Sequence, residues 1–272
     1  MDSSTAWQLK IFRKTLKKKE KLALIRSILP DLANLRCLDL GCAKGTISYF
    51  LRSCGGRWFH EDLDFSNVSA TRSLVGPFTA VIPPDRIPHR DGTFDLILSL
   101  DIIEHIRDDR GFLREMARVL RDNGTLILST PATGPVFILN RLKRLVGLTP
   151  DQYGHVVEGY TLEQLDSMLN EAGFEIHHRS TYSRFFTELI ELLINLMFVK
   201  VLRKTAVNRR DGHISPGSAD DVAKYRKQFA VYSILYPFVF LVSRLDLLLF
   251  WQKGYATLLV ASRRLSRTDS RQ

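Results

Sequence analysis

Leu38-Asp39-Leu40-Gly41-Cys42-Ala43-Lys44-Gly45 is a short apolar strand running into a glycine-punctuated turn, and Thr46 to Cys54 continues from it as a helix. Glycine admits positive φ and close backbone approach, and a helix start presents free N–H groups. Strand, turn and helix together therefore form a site for a nucleotide-like ligand. The loop reads G-x-A-x-G, so its spacing departs from the dinucleotide fingerprint G-x-G-x-x-G. An ordinary strand-to-helix turn fits the loop as well, and the residues around it decide.

Outward from this loop, residues 36 to 131 alternate strand and helix patterns, which predicts βαβ units and a parallel sheet. The strands fall at 36–40, 58–62, 78–82, 94–99 and 125–130, with helices at 46–54, 66–74 and 109–120. Gly55-Gly56 is a loop, Pro83-Pro84 stops the third strand and Asn123-Gly124 turns into the fifth. A helix follows from Thr161 to Ala172, with Thr161 and Gln164 spaced as a capping box and Gly173 as its stop. Phe174 to Arg179 reads as a sixth strand and Tyr255 to Ala261 as a seventh.

The segment between those last two strands is of another kind. Phe185 to Leu202 is an apolar helix with Glu188, Glu191 and Asn195 on one stripe, and Phe229 to Trp251 is apolar nearly all round. A loop with Arg203, Lys204, Arg209 and Arg210 joins them. The second helix is long enough to span a bilayer, but Arg244 and Asp246 are costly there. Two helices that dip into a membrane surface or cover an apolar substrate fit better. The chain thus divides into a basic amphipathic helix (1–30, ended by Pro30), a core (31–183), the apolar insert with its basic loop (184–252), and a last strand with a charged tail (253–272).

A net charge of +10 over 272 residues biases the protein toward anionic partners, nucleic acid or a membrane surface, and solubility alone is the plain alternative. The first helix carries Lys10, Arg13, Lys14, Lys17, Lys18, Lys19, Lys21 and Arg26 on its polar side, either a solvated face or a contact with an anionic surface. Cys37, Cys42 and Cys54 have neither C-x-x-C spacing nor an even count, which argues against a disulfide framework and a zinc site; no metal is expected. With no apolar segment at the N-terminus resembling a secretory signal, the expectation is a cytoplasmic protein, peripheral on the inner face of the membrane if the insert docks there.

An acid at the tip of the second strand, Asp62, can accept both hydroxyls of a ribose; an ordinary acidic loop is the alternative, with Asp64 a competitor. Further on come Ile87-Pro88-His89-Arg90-Asp91-Gly92-Thr93-Phe94, Ile102-Ile103-Glu104-His105-Ile106, and the run Phe112 to Pro131. With the glycine loop and Gly154-His155, Gly159-Tyr160-Thr161 and Ala172-Gly173-Phe174, these resemble, in order and spacing, the class I S-adenosylmethionine-dependent methyltransferases, in particular the branch similar to the ubiquinone and menaquinone enzymes. The resemblance covers about two-thirds of the chain. Two departures stand out: Ala43 replaces the family's middle glycine, and the acid just after the third strand is displaced to Asp85.

The resemblance implies a Rossmann-like, seven-stranded, mostly parallel α/β sheet with helices on both faces, and the apolar helical insert between strands 6 and 7. It implies S-adenosylmethionine cradled by Gly41, Cys42, Ala43 and Gly45, with Asp39 at the methionine end. Asp62 takes the ribose, Leu63 and Ile87 flank the adenine, Asp85 stands near its amino group, and the sulfonium methyl faces Ser99 to Asp101. His105 and His155 are the candidate bases, with a helix-start hydrogen bond as the alternative for His105; Glu104 reads as structural. His155 and Tyr160 lie at the acceptor site.

Ser99-Leu100-Asp101-Ile102 stands where an exocyclic-amine nucleic-acid methyltransferase carries Asn/Asp-Pro-Pro-aromatic, which argues against nucleic acid as the acceptor. The expectation is methyl transfer to an apolar, lipid-like or membrane-presented acceptor. The alternatives are a soluble small-molecule or glycosyl methyltransferase, with the insert as lid or homodimer interface, and a non-catalytic interaction protein of the same fold.

Overall fold

The computed structural model describes residues 6–149, 154–202 and 223–265, with the side chains of 198–202 left aside. The expected basic loop at 203–210 and the charged tail beyond 265 lie outside the described residues. Seven strands form one sheet in the order β3-β2-β1-β4-β5-β7-β6. They are β1 (Arg36–Leu40), β2 (Arg57–Asp62), β3 (Thr79–Val81), β4 (Phe94–Leu100), β5 (Leu120–Pro131), β6 (Phe174–Tyr182) and β7 (Ala256–Arg263). All pairs are parallel except those that β7 makes with β5 and β6. The expected Rossmann-like architecture is therefore present.

Alternate residues of each strand feed opposite faces. Leu38, Ile97, Leu126, Leu128 and Leu259 join one buried layer with Phe112, Leu113 and Met116 of α5 (Asp109–Val119) and Leu165 and Leu169 of α7 (Leu162–Glu171). Cys37, Leu96, Leu98, Ile127 and Leu258 join the other, with Phe12 of α1 (Trp7–Phe12), Leu22 and Ile25 of α2 (Lys17–Ile28) and Leu51 of α3 (Thr46–Arg52). α4 (Phe65–Val75) packs beside α3 and β2. Thr161 and Gln164 form the expected capping box.

Three expectations need correction. The single N-terminal helix is broken at Arg13–Leu16, because Phe12 is drawn into the sheet layer while Leu16 packs with Ile190 and Tyr236 of the insert; Thr15 Oγ1 donates to the Phe12 carbonyl at 2.9 Å and closes the turn. β5 begins at Leu120 rather than 125, so Asn123-Gly124 lies within it as an irregularity between Phe94 and Leu96 of the partner strand. An extra helix, α6 (Ile138–Leu145), follows β5.

The insert consists of α8 (Phe185–Leu202), α9 (Arg226–Ser243) and a 3₁₀ turn (Arg244–Leu249). Its root is at the carboxyl edge of the sheet, where Tyr182 and Pro131 both pair with Ala256. Asp246 accepts the Phe186 and Thr187 N–H groups at 2.8 and 2.9 Å, so the 3₁₀ turn caps the start of α8. Proline at 237 removes the helix bond to the Ser233 carbonyl, and Lys14 Nζ reaches that oxygen at 3.5 Å.

Candidate active site

Gly41 and Gly45 take φ of +80° and +75°. A Cβ on Gly41 would lie 2.6 Å from the Leu100 carbonyl oxygen, and one on Gly45 2.8 Å from the Thr71 Cα, so close packing and conformation both require glycine. Ala43 at +48° is exposed at the tip. The loop folds back on β2: Gly41 and Cys42 donate N–H to the Glu61 carbonyl at 2.8 and 3.2 Å. Cys42 is buried, and its thiol is pushed up by burial and then by Asp39.

Asp39 is buried at the end of β1. Its Oδ2 accepts from Ser48 Oγ at 2.5 Å and lies 3.0 Å from His60 Nδ1, whereas Oδ1 has no partner among the described residues. Asp62 is turned into the loop. Its Oδ2 accepts the Ala43 N–H at 2.8 Å, and its Oδ1 accepts the Asp64 N–H at 3.0 Å and Asn67 Nδ2 at 2.9 Å. Asn67 Oδ1 is buried beside it without a described partner. Sequence reading missed Asn67; its one signal is a position three residues into the helix capped by Asp64.

Leu63 keeps open surface, Asp85 is exposed past Pro83-Pro84, and Ile87 is fully enclosed in the core with its N–H on Glu115 Oε2 at 3.0 Å. Ser99 is buried, its Oγ without a described partner. Asp101 follows with φ +48°, donating its N–H to the Ser129 carbonyl at 2.8 Å and accepting Ser129 Oγ at 3.2 Å. Lys21 of α2 closes an ion pair on its other oxygen. Burial works to raise this carboxyl, and Lys21 more than offsets it, so it sits below the usual aspartate range. Lys18, one turn back, keeps water contact while desolvation and then Lys21 lower its ammonium, as for a side chain lining a cleft.

The next group was not legible as a unit. Glu104 is fully buried with Oε2 accepting Thr130 Oγ1 at 3.1 Å and Oε1 unpartnered among the described residues; burial, then Asp101, push its carboxyl up to about 8. His105 Nδ1 lies 2.9 Å from the Gly154 carbonyl. The His105 and His155 rings meet edge to face at 4.7 Å, and burial followed by His105 lowers His155 to about 4. One ligand atom from each of Glu104, His105 and His155 falls within 4.8 Å of the others. Such a group can pass a proton, and its donors are of the kind that hold a divalent cation. Tyr160, by contrast, is buried with its hydroxyl donating to Asp109 Oδ2 at 2.9 Å, so it braces the chain after His155.

Glycine loop, carboxylates and histidines all gather at one sheet edge. A family model described as a methyltransferase domain matches residues 10–179. The chain belongs to the methyltransferase domain family. It is 31% identical over 140 residues to a Mycobacterium tuberculosis protein named a probable S-adenosylmethionine-dependent methyltransferase, covering 50% of this chain and 47% of that one. It is 25% identical over 160 residues to the ubiquinone biosynthesis O-methyltransferase of Rhizobium leguminosarum, covering 55% and 62%. The matched part thus spans from about half to under two thirds of these relatives. Among solved structures, the Haloferax volcanii complex of the Trm112 activator with a methyltransferase aligns at TM-score 0.57 and 14% identity, over 98% of this chain and 96% of that chain. An S-adenosylmethionine-dependent methyltransferase from Mesorhizobium loti aligns at 0.54 and 15%, over 89% and 96%. These structures share the fold.

In a methyltransferase of this topology the carboxyl edge is the ligand edge. The insert rises from that same edge, and α2, which supplies Lys21, packs against both α3 and α8. That edge is therefore bordered by the part of the chain richest in apolar residues.

Proposed function

We propose that this protein transfers a methyl group from S-adenosylmethionine to an apolar, lipid-like acceptor that reaches the site from a membrane surface. The observation that carries this reading is the rooting of α8 and α9 at the edge that holds the glycine loop. A small polar acceptor would need no such surroundings. The protein would work at the inner face of the membrane.

The residues fit the cofactor. Asp39 Oδ1 and Ser99 Oγ are buried polar atoms with capacity to spare, and Ala43 is the small residue at the exposed loop tip. Gly41, Cys42, Ala43 and Gly45 would hold the methionine end with Asp39. Asp62, sharing the task with Asn67, would meet the ribose, and Leu63 would cover the adenine, near Asp85. When bound, the cofactor supplies an electrophilic methyl on a sulfonium, open to in-line displacement.

The chain's own task is chiefly positioning, which can supply on the order of 7–11 kcal/mol of barrier reduction. Lys21 fixes Asp101 at the edge where the methyl would face. His155 is neutral at physiological pH because of its lowered value, so it can accept a proton from an acceptor hydroxyl, with His105 beside it as relay. Glu104 keeps its proton near neutrality and can donate a hydrogen bond from Oε1.

The test is to incubate the purified protein with methyl-labelled S-adenosylmethionine and a membrane extract, then partition the products. Label in the organic phase is expected. Label confined to the aqueous phase would remove the lipid-like acceptor and leave a methyltransferase acting on polar compounds.

A further inference from the structure

We infer that α9, the 3₁₀ turn after it and the neighbouring α6 form a docking face that lies flat in one leaflet of an anionic bilayer. The inference deepens the proposed function and rests on it for its purpose, since a bilayer is where a lipid-like acceptor resides. The docking face itself stands on the surface described below.

Arg226–Leu249 is long and apolar enough to cross a membrane, yet one stripe of it is fastened to the protein. Tyr232 OH donates to the Lys14 carbonyl at 2.8 Å, Lys19 Nζ donates to Tyr236 OH at 3.0 Å, and Asp246 caps α8. A spanning helix would have to abandon all of these and carry Asp246 into hydrocarbon. Held in place, the helix turns its other side outward: Ile234 is 79% exposed, Phe238 68% and Leu241 66%, and past the helix end Phe250 is 77% and Trp251 70% exposed. Single exposed apolar residues are ordinary, but a run of this length on one side marks a surface that meets something apolar. α6 repeats the pattern with Ile138, Leu142 and Leu145 exposed, and it packs on α8, the helix that also carries α9.

Charge selects the occupant. From 226 to 253 the cations are Arg226, Lys227, Arg244 and Lys253, all exposed, while the sole acid, Asp246, is buried in its cap. On α6 the flanking residues are Arg141 and Arg144, and Lys14 and Lys19 of the N-terminal segment border α9. An apolar strip bordered by these cations, of which Arg144 pairs with Glu158 at 2.7 Å, with Phe and Trp at its end, matches the acyl boundary and headgroups of an anionic leaflet. A neutral protein partner would bring no counter-charge to this cationic border.

The experiment floats the full chain with phosphatidylcholine vesicles with and without phosphatidylglycerol, for wild type, Phe238→Ser/Leu241→Ser and Arg226→Glu/Lys227→Glu. Binding is expected only with the anionic lipid. It should fall more than tenfold in the first variant and several-fold in the second, and be reversed by alkaline extraction. The thermal shift with S-adenosylhomocysteine should be unchanged in both, which shows that each is folded. Wild-type protein that stays with the soluble fraction overturns the inference, as does undiminished binding of the serine variant. Retention through alkaline extraction would overturn it in favour of a spanning helix, and a dimer that the serine variant dissolves would place a second copy on this face. Vesicle binding with no organic-phase label would keep the docking face and remove the acceptor; label without vesicle binding would do the reverse.

Discussion

The glycine-loop edge and the outer side of α9 each hold groups short of partners, but of opposite kinds. At the loop edge the groups without a partner among the described residues are polar and buried: Asp39 Oδ1, Asn67 Oδ1, Ser99 Oγ and Glu104 Oε1. On α9 they are apolar and exposed, Ile234, Phe238 and Leu241 among them. A buried polar atom without a partner costs about 1–3 kcal/mol, so a fold retains several together where water, an ion or a polar ligand answers them. Exposed apolar area is disfavoured at roughly 25 cal/mol per Å², so a fold retains a strip of it only where something apolar covers it. The first deficit suits a polar ligand at the loop, and the second suits the bilayer surface proposed above.

The largest expected effect breaks the loop side. Gly41→Ala must hold an alanine at φ +80° with its Cβ 2.6 Å from the Leu100 carbonyl. Left-handed strain of about 1–3 kcal/mol adds to the overlap, so a loss of about 3 kcal/mol or more is expected in denaturant unfolding, together with loss of cofactor binding. Near-native stability in that variant would mean that the loop is looser than its packing implies.

A second test sharpens the loop side through pH. Glu104 binds its proton more tightly folded, at about 8 against an ordinary 4.5, so its contribution is present at low pH and is lost as pH rises toward 8. His155 runs the other way: lowered to about 4 from 6.5, it costs stability as pH falls through that window. Between pH 6.5 and 8 the Glu104 slope of this pair remains alone. Glu104→Gln should remove it, so that the variant's Tm gains on wild type by a few degrees across that range, with about 2–4 °C per kcal/mol in a chain of this size. Parallel melting curves would place Glu104 in contact with water or a cation.

The two regions also differed in how far sequence exposed them. The strands were legible because alternate residues such as Leu38 and Ile97 against Cys37 and Leu96 must be apolar on both faces of a buried parallel sheet. Capping at Thr161 was legible because it is local. The break at Arg13–Leu16 was not, since it depends on Leu16 meeting Ile190 and Tyr236 far along the chain. Nor was the grouping of Glu104, His105 and His155, which lies across 50 residues of chain and is joined through the Gly154 carbonyl. α6 was overlooked although Ile138, Leu139, Leu142 and Leu145 recur at helical spacing, because the stripe is only eight residues long and follows the turn signals Pro131 and Gly134-Pro135. The orientation of Asp62 into the loop depends on Asn67, which pattern alone does not mark.

The smallest effect is also the one that most directly separates the two regions. Ile234→Ser removes an apolar side chain that is 79% exposed, so little burial is lost and the free protein should change in stability by less than about 0.5 kcal/mol. A residue of the same size in the sheet layer, such as Ile97, would cost several times more, because its removal leaves a cavity as well as lost transfer energy, about 2–5 kcal/mol for truncation to alanine. If denaturant melts show Ile234→Ser near neutral and Ile97→Ala severe, α9 keeps its apolar side for something outside the fold. If Ile234→Ser proves as costly as Ile97→Ala, that side is covered within the molecule or by a second copy, and the apolar deficit that pairs with the polar one at the loop would vanish.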